Sequence, residues 1–230
     1  GYGFSSAITA LLGNALGKKR YKLASIYAHK GLIFVPLIGL TLSIIGYFFA
    51  PSLFMFLGAK DEYLQISLDY INPILFGAIF FMFNFSLNSI LIATGDTKTY
   101  RNSLIFGFFA NLALNPLFMY GFLFVPAMGI KGIAFATVLI QIINMFYLFY
   151  KVLQTKLIHF DKLEYFIPNL RIYKLFFTHG IPSSLNMLTM AIGSLILTYF
   201  VSHYGIQAVA GYGIGYRVEQ LMLLPALGLS

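Results

Sequence analysis

Cysteine and tryptophan are both missing from these 230 residues. Without cysteine there is no disulfide framework and no thiolate metal site, so the redox compartment stays open. Charge is scarce as well: 10% of the residues are Asp, Glu, Lys or Arg, against about 25% in an average soluble domain. Acidic side chains are the scarcest, seven against fifteen Lys and Arg. What fills the space is apolar: 59% of the chain is hydrophobic, with 25 Phe and 16 Tyr, and the mean hydropathy is +0.83. This composition belongs to an all-α, polytopic membrane bundle.

The stretch 92–132 organises the rest. A polar and basic turn, GDTKTYR, leads into a mostly apolar run from Asn102 to Leu123, and the stretch closes on Pro126, Gly129 and Gly132. A helix of about 22 residues is about 30 Å long, the thickness of a bilayer's hydrocarbon core. Six further apolar segments are expected: 1–17, Leu32–Leu57, Leu64–Ala93, Ile133–Tyr150, Leu175–Val201, and one from Val209 onward. About seven spans follow. Gly1 opens inside one apolar pattern and Ser230 closes inside another, so the stretch reads as cut at both ends, with room for a first span before it.

A net charge of +8 suggests nucleic acid only until the basic residues are located. They fall between the spans. Assigning alternate loops to one side puts the twelve Lys and Arg of residues 18–30, 98–101 and 151–174 together and leaves Lys60 and Lys131 on the other. That asymmetry marks the basic side as cytoplasmic and excludes a nucleic-acid-reading surface. Within it, 153–171 reads as an amphipathic connector between two bundles, residues 1–152 and 172–230.

Polar residues inside apolar spans carry the chemistry. Asn111 and Asn115 lie four apart, on one helical face, with Pro116 next; Asn84 and Asn88 repeat the spacing, and Gln141 and Asn144 lie three apart. Such amides bond to a neighbouring helix or line a wet cavity, and the proline weakens the local hydrogen-bond ladder. Gly129, Gly132 and Ala136 offer a small-residue packing surface, and Asp96 is placed to cap the following helix or brace its turn. Arg217 and Glu219 alone put charge near the middle of a span, which costs at least a few kcal/mol. Two positions apart, they point to different sides and cannot pair with each other. Glu219 is either a proton or Na⁺ site with a pKa raised by desolvation, or half of a structural ion pair; Arg217 reads as structural. The four histidines sit at span ends or in the connector and show no metal-ligand spacing.

The series ATGDTK from Ala93, N-x3-NP from Asn111, PAMGIKGIAFAT from Pro126, GIPSSLN from Gly180 and AGYGIGYRVEQ from Ala210 resembles the multidrug and toxic compound extrusion (MATE) transporters, in the family's order through the whole chain. The resemblance implies two pseudo-symmetric six-helix lobes, of which this chain covers the second to the eighth helix, and a monomeric, multi-pass protein of the cytoplasmic membrane. It further implies export of small organic cations against inward H⁺ or Na⁺, with no other cofactor and no enzyme activity. Glu219 stands at the acidic position of the RVE motif, and Asn186, Asn111, Asn115 and Gln141 would line the path. Around Met190, where other members carry an acidic residue, this sequence has none. A lipid-linked saccharide flippase of related architecture is the alternative. Its anionic pyrophosphate would call for several intramembrane cations, and only Arg217 is available.

Overall fold

The computed structural model describes residues 1–121, 126–159, 163–165 and 167–228, with the side chains of 163, 186, 187, 190 and 221–228 outside that description. Seven α-helices and a short 3-10 turn, with no strand among the described residues, follow one another: α1 (Tyr2–Gly17), α2 (Tyr21–Phe56), α3 (Asp61–Ala93), α4 (Lys98–Tyr120), α5 (Ile130–Gln154), the turn Leu163–Tyr165, α6 (Leu170–Ser202) and α7 (Ile206–Gly228).

Helix α2 begins eleven residues before the expected Leu32, because nothing between Tyr21 and Gly31 breaks a helix and Ala24 and Ala28 bury against the bundle. The basic stretch after α1 therefore shrinks to a tight turn at 18–20, and Lys22 and Lys30 ride on α2. The prolines at 36, 51, 73, 116 and 182 all sit inside continuous helices. Among the described residues four helices, α2 to α5, are long and apolar enough to cross a membrane by length and composition; within α6 the apolar stretch is the shorter Ala191–Ser202.

Burial runs opposite to that of a water-soluble protein. Phe48 is 72% exposed and Phe49 67%, whereas His29, Ser86 and Ser89 are fully buried. Lipid, as apolar as the core, removes the reason to hide phenylalanine, while polar groups must find protein partners.

Helices α1, α2, α3 and α5 share the main core, with Leu12, Ala28, Leu87, Ile90, Leu148 and Val152 at its centre. Helix α4 leans on α5, where Gly132 faces the Phe118 main chain with no room for a Cβ. The small-residue surface at Gly132 and Ala136 is thus a contact surface, with both residues buried. Helix α6 crosses α1 at two glycines: Gly3 lies 2.6 Å, measured from an ideal Cβ, from the Gly180 carbonyl, and Gly180 faces Phe4. A second core of Ile8, Phe34, Val35 and Phe176 fills the space between α1, α2 and α6. Helix α7 packs only on α6 among the described residues.

Candidate functional site

The buried polar groups form a seam across α1, α3 and α5. The Ser5 and Ser89 hydroxyls lie 2.7 Å apart, Ser5 donates to the Phe85 carbonyl at 3.1 Å, and Thr9 donates to the Ser89 carbonyl at 3.4 Å. One turn toward the N-terminus of α3, the Asn84 amide N–H₂ donates to both the side-chain and main-chain oxygens of Gln141, at 2.7 and 2.9 Å. Asn88 and Asn144 are buried beside it. Because an unpaired amide in a dry interior is costly, helices α3 and α5 are locked in register by these bonds.

Several oxygens in these helices remain without partners among the described residues: Oδ1 of Asn84, Asn88 and Asn115, and Oγ of Ser86. All are hard oxygens whose lone pairs can accept from a proton donor or water, or coordinate a small cation. Asn111 and Asn115 are half-buried on α4 in line with Gly107, which rests on Ile140 and Asn144 of α5. A cleft of about 330 Å³ opens beside that contact, lined by Asn102, Ser103, Phe106, Ile143, Asn144 and Tyr147.

The residues singled out in the sequence do not all meet. Gln141, Asn111 and Asn115 belong to the α4–α5 side, while Arg217 and Glu219 are exposed on α7, with no ion-pair partner among the described residues. The dry setting anticipated for Glu219 is therefore not supplied by these helices. Asn186 lies on α6, and its side chain falls outside the described residues. Pro116 is exposed, Gly129 adopts φ 59 at the start of α5, and no group of His, Asp or Glu able to hold a metal is found among the described residues.

Asp96 holds the turn before α4. Its carboxylate accepts the Thr99 N–H at 2.9 Å and the Thr99 hydroxyl at 2.5 Å, and these bonds hold it below the usual carboxylate range.

Two features were not legible in advance. Lys131 pairs with Asp69 at 3.1 Å across α3 and α5, beside a cleft of about 470 Å³ that also includes Asn72 and Phe135. His29, expected at an interface, is fully buried in α2. Its Nε2 accepts the His159 N–H at 3.1 Å, which leaves Nδ1 to donate to the Ser25 carbonyl at 2.7 Å. The Ser25 hydroxyl donates to the Leu157 carbonyl at 2.7 Å, and the Lys30 ammonium donates to the carbonyls of Glu164 and Ile167. The Ser-x3-His spacing amid Ala24 and Ala28 was the available signal, since polar groups on a small-residue face are placed to reach a neighbouring main chain.

A bundle of long apolar helices whose polar groups bond across to neighbouring helices is the architecture of a polytopic membrane protein. The MatE family model matches residues 1–117 and 182–230, and the chain belongs to that family, whose members are transporters and not enzymes. Among curated proteins it is 32% identical to "Probable multidrug resistance protein YoeA" of Bacillus subtilis (strain 168), over 99% of this chain and 50% of that protein. It is 26% identical to "FAD transporter" of Shewanella oneidensis, over 99% and 50%. "Multidrug export protein MepA" of Staphylococcus aureus is 25% identical, over 100% and 49%. An inward-facing structure of a multidrug resistance MATE family transporter of the MOP superfamily superposes with a TM-score of 0.87 at 28% identity, over 99% of this chain and 51% of that one. The chain spans about half the length of the curated relatives it matches. The flippase alternative draws no support from them.

Proposed function

We propose that this chain belongs to a secondary-active exporter of small organic cations, driven by inward H⁺ or Na⁺ through alternating access of two lobes. In this reading residues 1–152 form helices of the first lobe, 153–171 the connector and 172–230 the start of the second lobe. The protein sits as a monomer in the cytoplasmic membrane with its basic loops inside, the orientation that the twelve-to-two division of Lys and Arg favours.

The observation that carries the reading is the set of unpartnered oxygens of Asn84, Asn88 and Asn115, buried within helices long and apolar enough to span a bilayer. Polar groups at that depth are expensive and mark an ion or substrate path. Gln141 and Asn111 stand beside them, and Asn186 and Glu219 would complete the path from the second lobe, with Glu219 exchanging its proton or Na⁺ against the substrate.

The test is accumulation of a fluorescent organic cation inside everted vesicles carrying the full-length protein, the in vitro equivalent of efflux, energised by a pH or sodium gradient. Glu219→Gln is expected to remove the gradient dependence, and Asn115→Leu to slow efflux at least about tenfold, the effect of about 1.4 kcal/mol. Unchanged efflux in both variants would overturn the assignment.

A further inference from the structure

The densest positive charge in the molecule lies away from the polar seam, where the turn between α1 and α2 meets the end of α5. Two clefts share Tyr21 and Lys22 there. One, of about 560 Å³, runs over Lys19, Arg20, Leu23 and Ile26; the other, of about 450 Å³, reaches Lys156 and His159. Together they make a continuous trough. Among the described residues no Asp or Glu lines either cleft, and the one ion pair, Lys131 with Asp69, is on other helices.

Two of these lysines hold their places at a cost in backbone ease. Lys19 and Lys156 both have φ 57, just past the ends of α1 and α5. Glycine is the usual occupant of that left-handed position and would take it without a Cβ penalty. Lysine at both ends instead brings cations to the rims of the same trough. Its wall is apolar at Leu23 and Ile26, both half-buried, and Tyr21 stands 63% exposed between the clefts.

We propose that this trough binds an acidic phospholipid, with the phosphate between Lys22 and Lys156 and an acyl chain along Leu23 and Ile26. Helix α5, at 25 residues, is about as long as a bilayer is thick, so its end beside Lys156 lies at headgroup depth and the lipid is at hand. Basic pockets there recognise anionic headgroups at about fivefold in affinity per cation. The same phosphate chemistry could come from a soluble anion, but the apolar wall beside the cations favours the lipid. The assignment is independent of what the protein transports.

The test places a reporter in the full-length protein by Tyr21→Trp, its fluorescence taken as the difference from the parent. The protein is reconstituted in phosphatidylcholine vesicles containing a fixed share of brominated phosphatidylglycerol or of brominated phosphatidylcholine. Quenching by the acidic lipid is expected to exceed that by the neutral one at least about fivefold. Lys22→Gln with Lys156→Gln should abolish the preference, Lys22→Arg with Lys156→Arg should keep it, and Lys60→Gln, on the α2–α3 loop, should leave it unchanged. Equal quenching by the two lipids, or loss of the preference in the double arginine variant, overturns the proposal. Relief of the quenching by inorganic phosphate also overturns it, by assigning the trough to a soluble anion.

Discussion

Phe56, the last residue of α2, stacks on Tyr199 of α6 with ring centroids 4.5 Å apart and planes within 10°. Beside the stack, an ideal Cβ on Gly58 would lie 3.2 Å from Ser202. Toward the other end of the same helices, Phe34 meets Phe176 at 5.4 Å and Tyr173 at 4.9 Å. Helices α2 and α6 are thus joined at two levels by aromatic contacts, each worth about 0.5–1.5 kcal/mol beyond the area buried. A contact of that size holds two bodies together without making separation prohibitive.

If the lobes rock, the Phe56–Tyr199 stack must part. These 230 residues contain no cysteine, so in a full-length protein cleared of any other cysteine Phe56→Cys with Tyr199→Cys introduces one addressable pair. Bridging that pair with a short reducible bis-thiosulfonate is expected to stop transport in the vesicle assay, and reduction to restore it. Efflux that continues at complete bridging would mean that these helix ends stay together through the cycle.

The bond from Asn84 to Gln141 sets a second expectation. Removing one partner strands a buried amide, whereas removing both leaves an apolar contact. Asn84→Leu, which leaves the Gln141 side-chain amide stranded, should therefore lower stability more than Asn84→Leu with Gln141→Leu, by about 1 kcal/mol, within the range for hydrogen bonds between membrane helices. Gln141→Leu alone keeps the Asn84 bond to the main-chain carbonyl of residue 141. Thermal unfolding in detergent of the single and double variants measures the difference. A double variant no more stable than the single one removes the energetic role given to this bond.

The sequence made the helices readable because a bilayer imposes length and hydropathy directly on the residues: α3 ends at Ala93 as expected, whereas of the expected GDTKTYR turn only Gly95 to Thr97 lie between the helices and Lys98 to Arg101 form the first turn of α4. Pairing across helices was much less legible. Asn84 and Gln141 are 57 positions apart and His29 and His159 130 apart; whether such residues meet depends on crossing angles that no local pattern records. His29 and His179 look alike in sequence, each within a helix-forming stretch, yet one is buried against the connector and the other exposed. Glu219 could be located on its helix by counting, but its surroundings depend on what packs there, and α7 presents it outward. Asp96 was legible, because capping is local.

His29 carries a third prediction. It joins α2 to the connector through the His159 N–H and lies edge-on to Tyr165 at 5.6 Å. His29→Ala deletes a fully buried ring and orphans the His159 N–H, at a cost of about 2–4 kcal/mol. Because Ser25 and Lys30 hold neighbouring carbonyls, the loss should appear first in the connector, as faster tryptic cleavage at Lys156, and only then as a lower Tm. Cleavage at the parent's rate would remove the stapling role. Lys30→Met, which deletes the donor to the Ile167 carbonyl while keeping the stem, should also accelerate cleavage.

Asp96 ties the turn to α4 in a way that depends on pH. Both of its carboxylate oxygens accept from Thr99, and those bonds, aided by the nearby charge of Lys151, hold its pKa below the usual carboxylate value. A carboxyl group with a lower pKa folded than unfolded stabilises the protein in its charged form. The contribution is fully present above the unfolded value of about 3.9 and fades as the pH falls through the lowered folded value. At neutral pH, Asp96→Ala should cost about 1 kcal/mol, as for other caps, and Asp96→Asn should cost less because its carbonyl can still accept the Thr99 N–H. The difference in Tm between parent and Asp96→Ala should be constant from pH 8 to about pH 5 and shrink below about pH 4. A difference that instead grows on acidification would mean that the carboxylate is stabilised by protonation, contrary to the two bonds it accepts.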